Sequence, residues 1–222
     1  MANRDLDGAV VAVVGATGGL GRELVAVLAG RGATVVRCNR SGGPDSDLAI
    51  DLRDSRAGDQ LVEHVSAAHG RLDGVVVAAG IVAFGDLVDT DDVVIEELFL
   101  TNALGPMWLA KHVAGALRES QGFFVNLSGV VAESPMPGMA AYSASKAAAA
   151  AATEAIRREF RRMKVTVIDV RPPHTETGLA TRPLAGEAPK MPTGLEPAVV
   201  AERVVTAIEH GDAAVASTDF SS

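Results

Sequence analysis

Five runs rich in β-branched and other apolar residues, Val10–Val14, Thr34–Cys38, Val75–Val77, Phe123–Leu127 and Val165–Val170, recur along the chain with helix-like patterns between them. Strands that are apolar throughout, rather than at alternate positions, must be covered on both faces. Helices between such strands allow the strands to lie parallel with a helical layer on each side. Leu48–Ile50 and Ala213–Ala216 add two weaker strands. Helices are expected over Leu20–Ala29, Gly58–His69, Asp92–Leu100 running on through Leu104–Leu117, Ser143–Arg162 and Pro197–Glu209. No repeat, linker or shift in composition divides the chain, so residues 1–222 are read as one α/β domain.

Charge and cysteine content narrow the function classes. Twenty basic against 28 acidic residues give a net charge of −8, which argues against nucleic acid or an anionic membrane as a general partner. The single cysteine, Cys38, excludes an internal disulfide and a cysteine-based zinc site, and its apolar setting reads as core packing. No uninterrupted apolar run reaches the roughly 18 residues of a membrane span, and the polar start Met1-Ala2-Asn3-Arg4-Asp5 is unlike a signal peptide. A soluble cytoplasmic protein is the expectation. One segment lacks regular pattern: Pro172–Pro197, with six prolines. A loop of that length inside a compact domain reads as a lid or substrate loop, the alternative being an irregular surface connection.

The first strand runs into Gly15-Ala16-Thr17-Gly18-Gly19-Leu20-Gly21, which opens a helix. Glycines at 15, 19 and 21 permit a tight turn, a close backbone approach to a diphosphate, and close helix-on-strand packing. The helix N-terminus then offers unpaired N–H groups to the anion. A glycine-rich turn alone is weak evidence; its place between the first strand and first helix of an alternating βα chain gives it weight.

From this turn onward the sequence resembles the short-chain dehydrogenase/reductase family over nearly its whole length. The matches follow in order: the Gly15–Gly21 turn, Ala78-Ala79-Gly80 at a strand end, Asn102 in Thr101-Asn102-Ala103, Tyr142-Ser143-Ala144-Ser145-Lys146, and Arg171-Pro172-Pro173-His174-Thr175-Glu176-Thr177. The resemblance implies a Rossmann-type, doubly wound, seven-stranded parallel sheet and a nicotinamide cofactor. It also implies cofactor contacts at Gly15, Thr17, Gly18, Gly19, Leu20, Gly21, Asn39, Arg40, Asp51, Leu52, Ala79, Gly80, Tyr142, Lys146, Pro172, Thr175 and Thr177. Where NAD-selective sites carry an acidic residue after the second strand, this chain has Asn39 followed by Arg40. A carboxylate would repel a 2′-phosphate and a guanidinium can bind it, so NADP(H) is expected, with NAD(H) the alternative if Arg40 is only solvated.

The chemistry implied is hydride exchange between nicotinamide and a small carbonyl or alcohol substrate. Tyr142 and Lys146 lie four residues apart on one helical face. A free tyrosine titrates at about 10, and a neighbouring ammonium would favour the tyrosinate. The resemblance gives Lys146 the nicotinamide ribose and Asn102 a part in a proton relay. At the family's catalytic serine position stands Gly129; Ser128 matches the serine before it, and alternation along a strand should turn that side chain away unless the chain bulges. Ser128 is carried as the catalytic candidate through such a bulge, Ser134 as another, with substrate, water or a backbone N–H as the remaining ways to fill the role. His174 reads as a loop histidine near the pocket mouth, and Pro173 stands where glycine is customary. Losing one oxyanion-type donor costs about 10²–10³ in rate, which leaves room for a weakened or specialised reductase. The alternative is a non-catalytic, redox-sensing or regulatory nucleotide-binding protein. Six consecutive alanines, Ala147 to Ala152, give the Lys146 helix a smooth surface, and a homodimer or homotetramer is expected.

Overall fold

The computed structural model describes residues 3–220. Seven strands, β1 (Val10–Val14), β2 (Thr34–Asn39), β3 (Leu48–Ala49), β4 (Gly74–Val77), β5 (Phe123–Leu127), β6 (Thr166–Val170) and β7 (Ala214–Val215), form one sheet in the order β3-β2-β1-β4-β5-β6-β7. Every adjacent pair is parallel. The helices are α1 (Gly19–Gly30), α2 (Ala57–His69), α3 (Asp92–Phe99), α4 (Gly105–Ser120), α5 (Ala140–Phe160) and α6 (Pro197–His210).

Strand pleating sorts each strand's residues into two cores. Val11 and Val13 of β1 join Phe123, Val125 and Ile168 beneath α1 and α6. Val10, Ala12 and Val14 join Phe124 and Val167 beneath α2, α4 and the end of α5. That is why the strands read as unbroken apolar runs: both sets of side chains are buried. Local signals set the helix limits. Pro197 starts α6, where a missing N–H costs nothing, and the left-handed Gly211 stops it.

Two departures from the sequence reading matter for the site. The expected helix Asp92–Leu117 is broken by a π-helical turn over Leu100–Leu104, which holds Asn102. Such turns replace i→i+4 bonding by i→i+5 and are found at functional sites. The third strand is two residues long, and Ile50 lies beyond it while its N–H still donates to Asn39 O at 2.8 Å. The continuous helical stretch Asp92–Ser120 is long and apolar enough, by length and composition alone, to cross a membrane, although charged and polar residues interrupt it; α4 packs against α2 and β5 in this fold.

β1 pairs with β2 on one side and β4 on the other. The chain reverses its direction of travel across the sheet there, leaving a crevice at the carboxyl ends of the strands where loops from both directions diverge.

Candidate functional site

The crevice holds two adjoining spaces. A cleft of about 510 Å³ lies over the carboxyl ends of β1, β2 and β4, lined by Gly15, Thr17, Gly18, Gly19, Leu20, Asn39, Arg40, Asp51, Leu52, Ala79, Gly80 and Thr177. A second cavity of about 200 Å³ is lined by Ser128, Gly129, Tyr142, Lys146, Pro172, His174, Thr175 and a largely apolar remainder. Leu20 and Thr177 line both, so the spaces share a wall.

The cleft is shaped by backbone. Gly15 has φ +90°, and a Cβ there would lie 2.6 Å from Ala79 N, so only glycine lets the ends of β1 and β4 meet. Gly21 lines neither space; a Cβ on it would collide with the Gly15 carbonyl, which makes it the packing glycine beneath the turn. Gly19 faces the lid, with Thr177 Cα 2.7 Å from where its Cβ would be. α1 starts after Gly18 with no side-chain cap and no acidic residue in its first turn. The N–H groups of Gly19, Leu20 and Gly21 make no hydrogen bond among the described residues. Bare N–H groups at the positive end of a helix, beside a glycine cradle, fit the diphosphate of a dinucleotide.

Side chains complete the adenosine end. Asn39 accepts from Gly42 N–H at 2.6 Å through Oδ1 and approaches Thr17 Oγ1 at 3.5 Å through Nδ2, tying the end of β2 to the glycine turn. Asp51 is gripped by Arg53 at 2.6 Å, and Arg53 also reaches Glu97 at 2.8 Å. The Arg53 hydrogen bonds hold the Asp51 carboxyl below its ordinary value. Arg40 lines the cleft and is exposed. Arg182, from the lid, lines the same cleft, and sequence reasoning missed it because that segment has no periodicity to place it. Its Nε donates to Gly178 O at 3.0 Å.

At the other end, Tyr142 and Lys146 sit on the first two turns of α5 and both line the cavity. Lys146 is buried and donates to Leu127 O at 2.8 Å. Burial pulls its ammonium down to about 8, with the Asp169 charge opposing. Burial pushes the Tyr142 phenol up to about 12. The expected acidification of Tyr142 by Lys146 does not show in the phenol's shift, whose one cause is burial, so the phenol holds its proton at neutral pH. Asn102, 2% exposed, receives Ile81 N–H at 3.0 Å and donates to Ile81 O at 2.9 Å and Ser145 Oγ at 3.1 Å. Ser145 in turn donates to Tyr142 O at 2.8 Å. The π turn thus locks the tyrosine-bearing turn of α5 to the segment after β4. Gly80 makes room for this, since its Cβ would lie 3.3 Å from both Asn102 Oδ1 and Lys146 Nζ.

The structure corrects the assignment of Ser128. Its hydroxyl is buried and donates to Asp169 Oδ1 at 2.6 Å across β5 and β6. Ser128 borders the cavity, but a buried carboxylate claims its hydroxyl, which is therefore not free for a substrate. Ser134 is exposed and lines neither space. Gly129 adopts φ +90° and ψ 163°, a conformation close to glycine-only, although no atom lies within 4 Å of an added Cβ. Backbone shape, not lack of room, disfavours a serine there. The local N–H groups are also taken, Gly129 by Val170 O at 3.3 Å and Val130 by Pro172 O at 3.0 Å.

Behind Ser128 runs a polar chain that the sequence did not announce. Asp169 Oδ2 lies 3.0 Å from Arg171 Nε, close enough for charge attraction although that N–H is not aimed at the oxygen and makes no hydrogen bond. Arg171 pairs with Glu133 at 2.7 Å, and Ser217 donates to Glu133 at 2.6 Å. The segment Pro172–Pro197 contributes Pro172, Pro173, His174, Thr175, Thr177, Ala180 and Met191 to the cavity wall. It is tied to the segment after β4 by Leu184 N–H to Val82 O at 2.7 Å and Phe84 N–H to Ala185 O at 2.9 Å, while a bridge between Thr175 and Leu195 braces its own two ends.

Comparison with known proteins agrees with this geometry. The short chain dehydrogenase family matches residues 9–187. Dehydrogenase/reductase SDR family member 7B of Bos taurus is 29% identical over 90% of this chain and 70% of its own length. This chain spans 63% to 75% of the lengths of the cattle, frog and mouse proteins of that name. A short chain dehydrogenase from Burkholderia cenocepacia in complex with NADP superposes with TM-score 0.83 at 26% identity, covering 96% of this chain and 89% of its own. The 3-ketoacyl-(acyl-carrier-protein) reductase of Brucella melitensis shares the fold with TM-score 0.85 at 22% identity, over 97% and 99% of the two chains.

Proposed function

The chain belongs to the short-chain dehydrogenase family, NAD(P)-dependent oxidoreductases, and on that premise we propose that it is an NADP(H)-dependent reductase of a small carbonyl compound. One observation carries the reading: a phenol that keeps its proton sits in a small, mainly apolar cavity sharing a wall with a cleft fit for a dinucleotide. When bound, the nicotinamide supplies the hydride. Tyr142 gives its proton to the carbonyl oxygen, a role suited to a protonated phenol. Lys146, positioned by Leu127 O, lines the cavity with its Nζ beside Gly80 of the cleft, where it can hold the cofactor's ribose. Asn102 fixes the turn that carries Tyr142 by way of Ser145.

Arg40 and Arg182 supply two guanidinium groups to the cleft and favour the 2′-phosphate of NADP(H). Solved neighbours carry either cofactor, NADP in the Burkholderia protein and NADH in the Brucella one, so the choice rests on the guanidinium groups. The preference is tested by kcat/KM for NADPH against NADH. Arg40→Ala should reduce the ratio about tenfold, and a wild-type ratio at or below one would overturn the preference. Leu104 and Met107 are exposed, and Met107 borders Ala149 and Ala152 of α5. They support a homodimer through α4 and α5, which sedimentation velocity would test.

The diversion of Ser128 and the conformation of Gly129 favour one other reading, a nucleotide-binding protein without catalysis. Incubation with NADPH and a panel of small aldehydes, ketones and quinones separates the two. Turnover abolished by Tyr142→Phe supports the reductase; tight NADPH binding with no turnover supports the sensor.

A further inference from the structure

Among the described residues, Asp51 is the one acidic side chain lining the nucleotide cleft, and Arg40 lines the same cleft. Parallel pairing of β2 and β3 brings the two together. Ile50 N–H donates to Asn39 O at 2.8 Å, and Arg40 and Asp51 are the next residues along the two segments. The hydrogen bonds of Arg53 are the first cause holding the Asp51 carboxyl low, and the charge of Arg40 adds to them. Without another partner, this carboxylate would compete with a phosphate group for Arg40.

Arg53 takes the carboxylate instead. Its Nε lies 3.1 Å from each Asp51 oxygen, one terminal nitrogen donates to Oδ2 at 2.6 Å, and its backbone N–H donates to Oδ1 at 3.0 Å. The other terminal nitrogen donates to Glu97 Oε2 on α3 at 2.8 Å. A planar guanidinium anchored at both ends is held in one orientation. Arg40 is exposed and has no ion-pair partner among the described residues, Asp47 and Asp51 being held by Arg37 and Arg53. Ion pairs this exposed add little to stability. What the Arg53 pair changes is the charge that a ligand meets.

Building on the NADP(H) reading, we propose that Arg53 is a positioning residue for cofactor choice: by occupying the Asp51 carboxylate it keeps Arg40 free for the 2′-phosphate of NADP(H). It also offsets the repulsion between that phosphate and Asp51. Arg53 is not among the residues lining the cleft, so it acts through Asp51. NADH, which has no 2′-phosphate, is indifferent to this arrangement, and any change at the adenine is common to both dinucleotides.

The test uses the full chain without substrate, titrated with NADPH and with NADH and followed by cofactor fluorescence. The readout is the preference Kd(NADH)/Kd(NADPH). Arg53→Gln should lower this ratio about fivefold at low ionic strength, and by less as salt is added. Adding Asp51→Asn to Arg53→Gln should return the ratio to within about twofold of wild type, since no carboxylate is left to neutralise. A merely structural role would weaken both dinucleotides alike, leave the ratio constant, and gain nothing from the second substitution. An unchanged ratio in Arg53→Gln, or a fall that Asp51→Asn does not reverse, overturns the proposal. A wild-type ratio at or below one, with the fall and its reversal intact, leaves the role of Arg53 standing and removes the NADP(H) preference instead.

Discussion

At the nucleotide end of the crevice the ligand-facing surface is largely main chain, Gly15 to Gly21 and the bare N–H groups of α1; at the reaction end it is made of side chains, most of them already bonded to something else. A backbone surface is specified by the absence of Cβ atoms, so glycine spacing encodes it directly. A side-chain surface depends on which partner each polar group finds. Ser128, adjacent to the expected catalytic position, shows that sequence proximity does not decide this.

If the division is real, each end should break without the other. Tyr142→Phe should lower turnover about 10³-fold while NADPH affinity stays within twofold; a tenfold loss of affinity would show that the ends are not independent. Gly15→Ala should do the reverse, weakening NADPH binding at least tenfold and costing about 2–3 kcal/mol of stability, because the new Cβ meets Ala79 N at a positive φ. Isothermal titration and urea unfolding measure both quantities.

Lys146 sharpens the contrast, being charged and yet buried. Its ammonium titrates at about 8 in the folded chain against 10.5 in the unfolded one. The unfolded chain holds that proton more tightly, so the penalty is full below pH 8, shrinks as pH rises, and is gone above about 10.5. Lys146→Met should therefore be more stable than wild type at pH 7, on the order of 2 kcal/mol, with the advantage fading between pH 8 and 10.5 and activity lost at every pH. A constant difference across that window would contradict the assignment. Gly129→Ser should lower stability by about 1–2 kcal/mol without raising turnover, since φ +90° penalises any side chain even in open space; a gain in kcat would mean that a serine can be accommodated and used. Cys38, whose thiol burial pushes up to about 12, should be inert to thiol reagents until the chain unfolds.

The same contrast explains what the sequence disclosed. Fully apolar strands and a glycine turn between β1 and α1 state the sheet and its nucleotide cleft, since each residue there acts through its own burial or its own missing Cβ. Tyr142 and Lys146 were legible as one helical face. The π turn around Asn102 was not, because its residues suit an ordinary helix and only packing against Ile81 and Ser145 displaces them. Neither was the bond from Ser128 to Asp169, which joins residues 41 apart that become neighbours only through the register of β5 on β6. Arg182 lies in the aperiodic segment Pro172–Pro197, where the family resemblance marked Pro172, Thr175 and Thr177 but no pattern placed Arg182 at the cleft.

The polar chain from Ser128 through Asp169, Arg171 and Glu133 reaches Ser217, beyond β7. The short turn Ser217–Phe220 therefore acts as a buttress for the strand end on which Lys146 leans. Disturbing that turn would loosen the ground beneath the reacting groups from the far edge of the sheet, without altering a residue that faces either ligand.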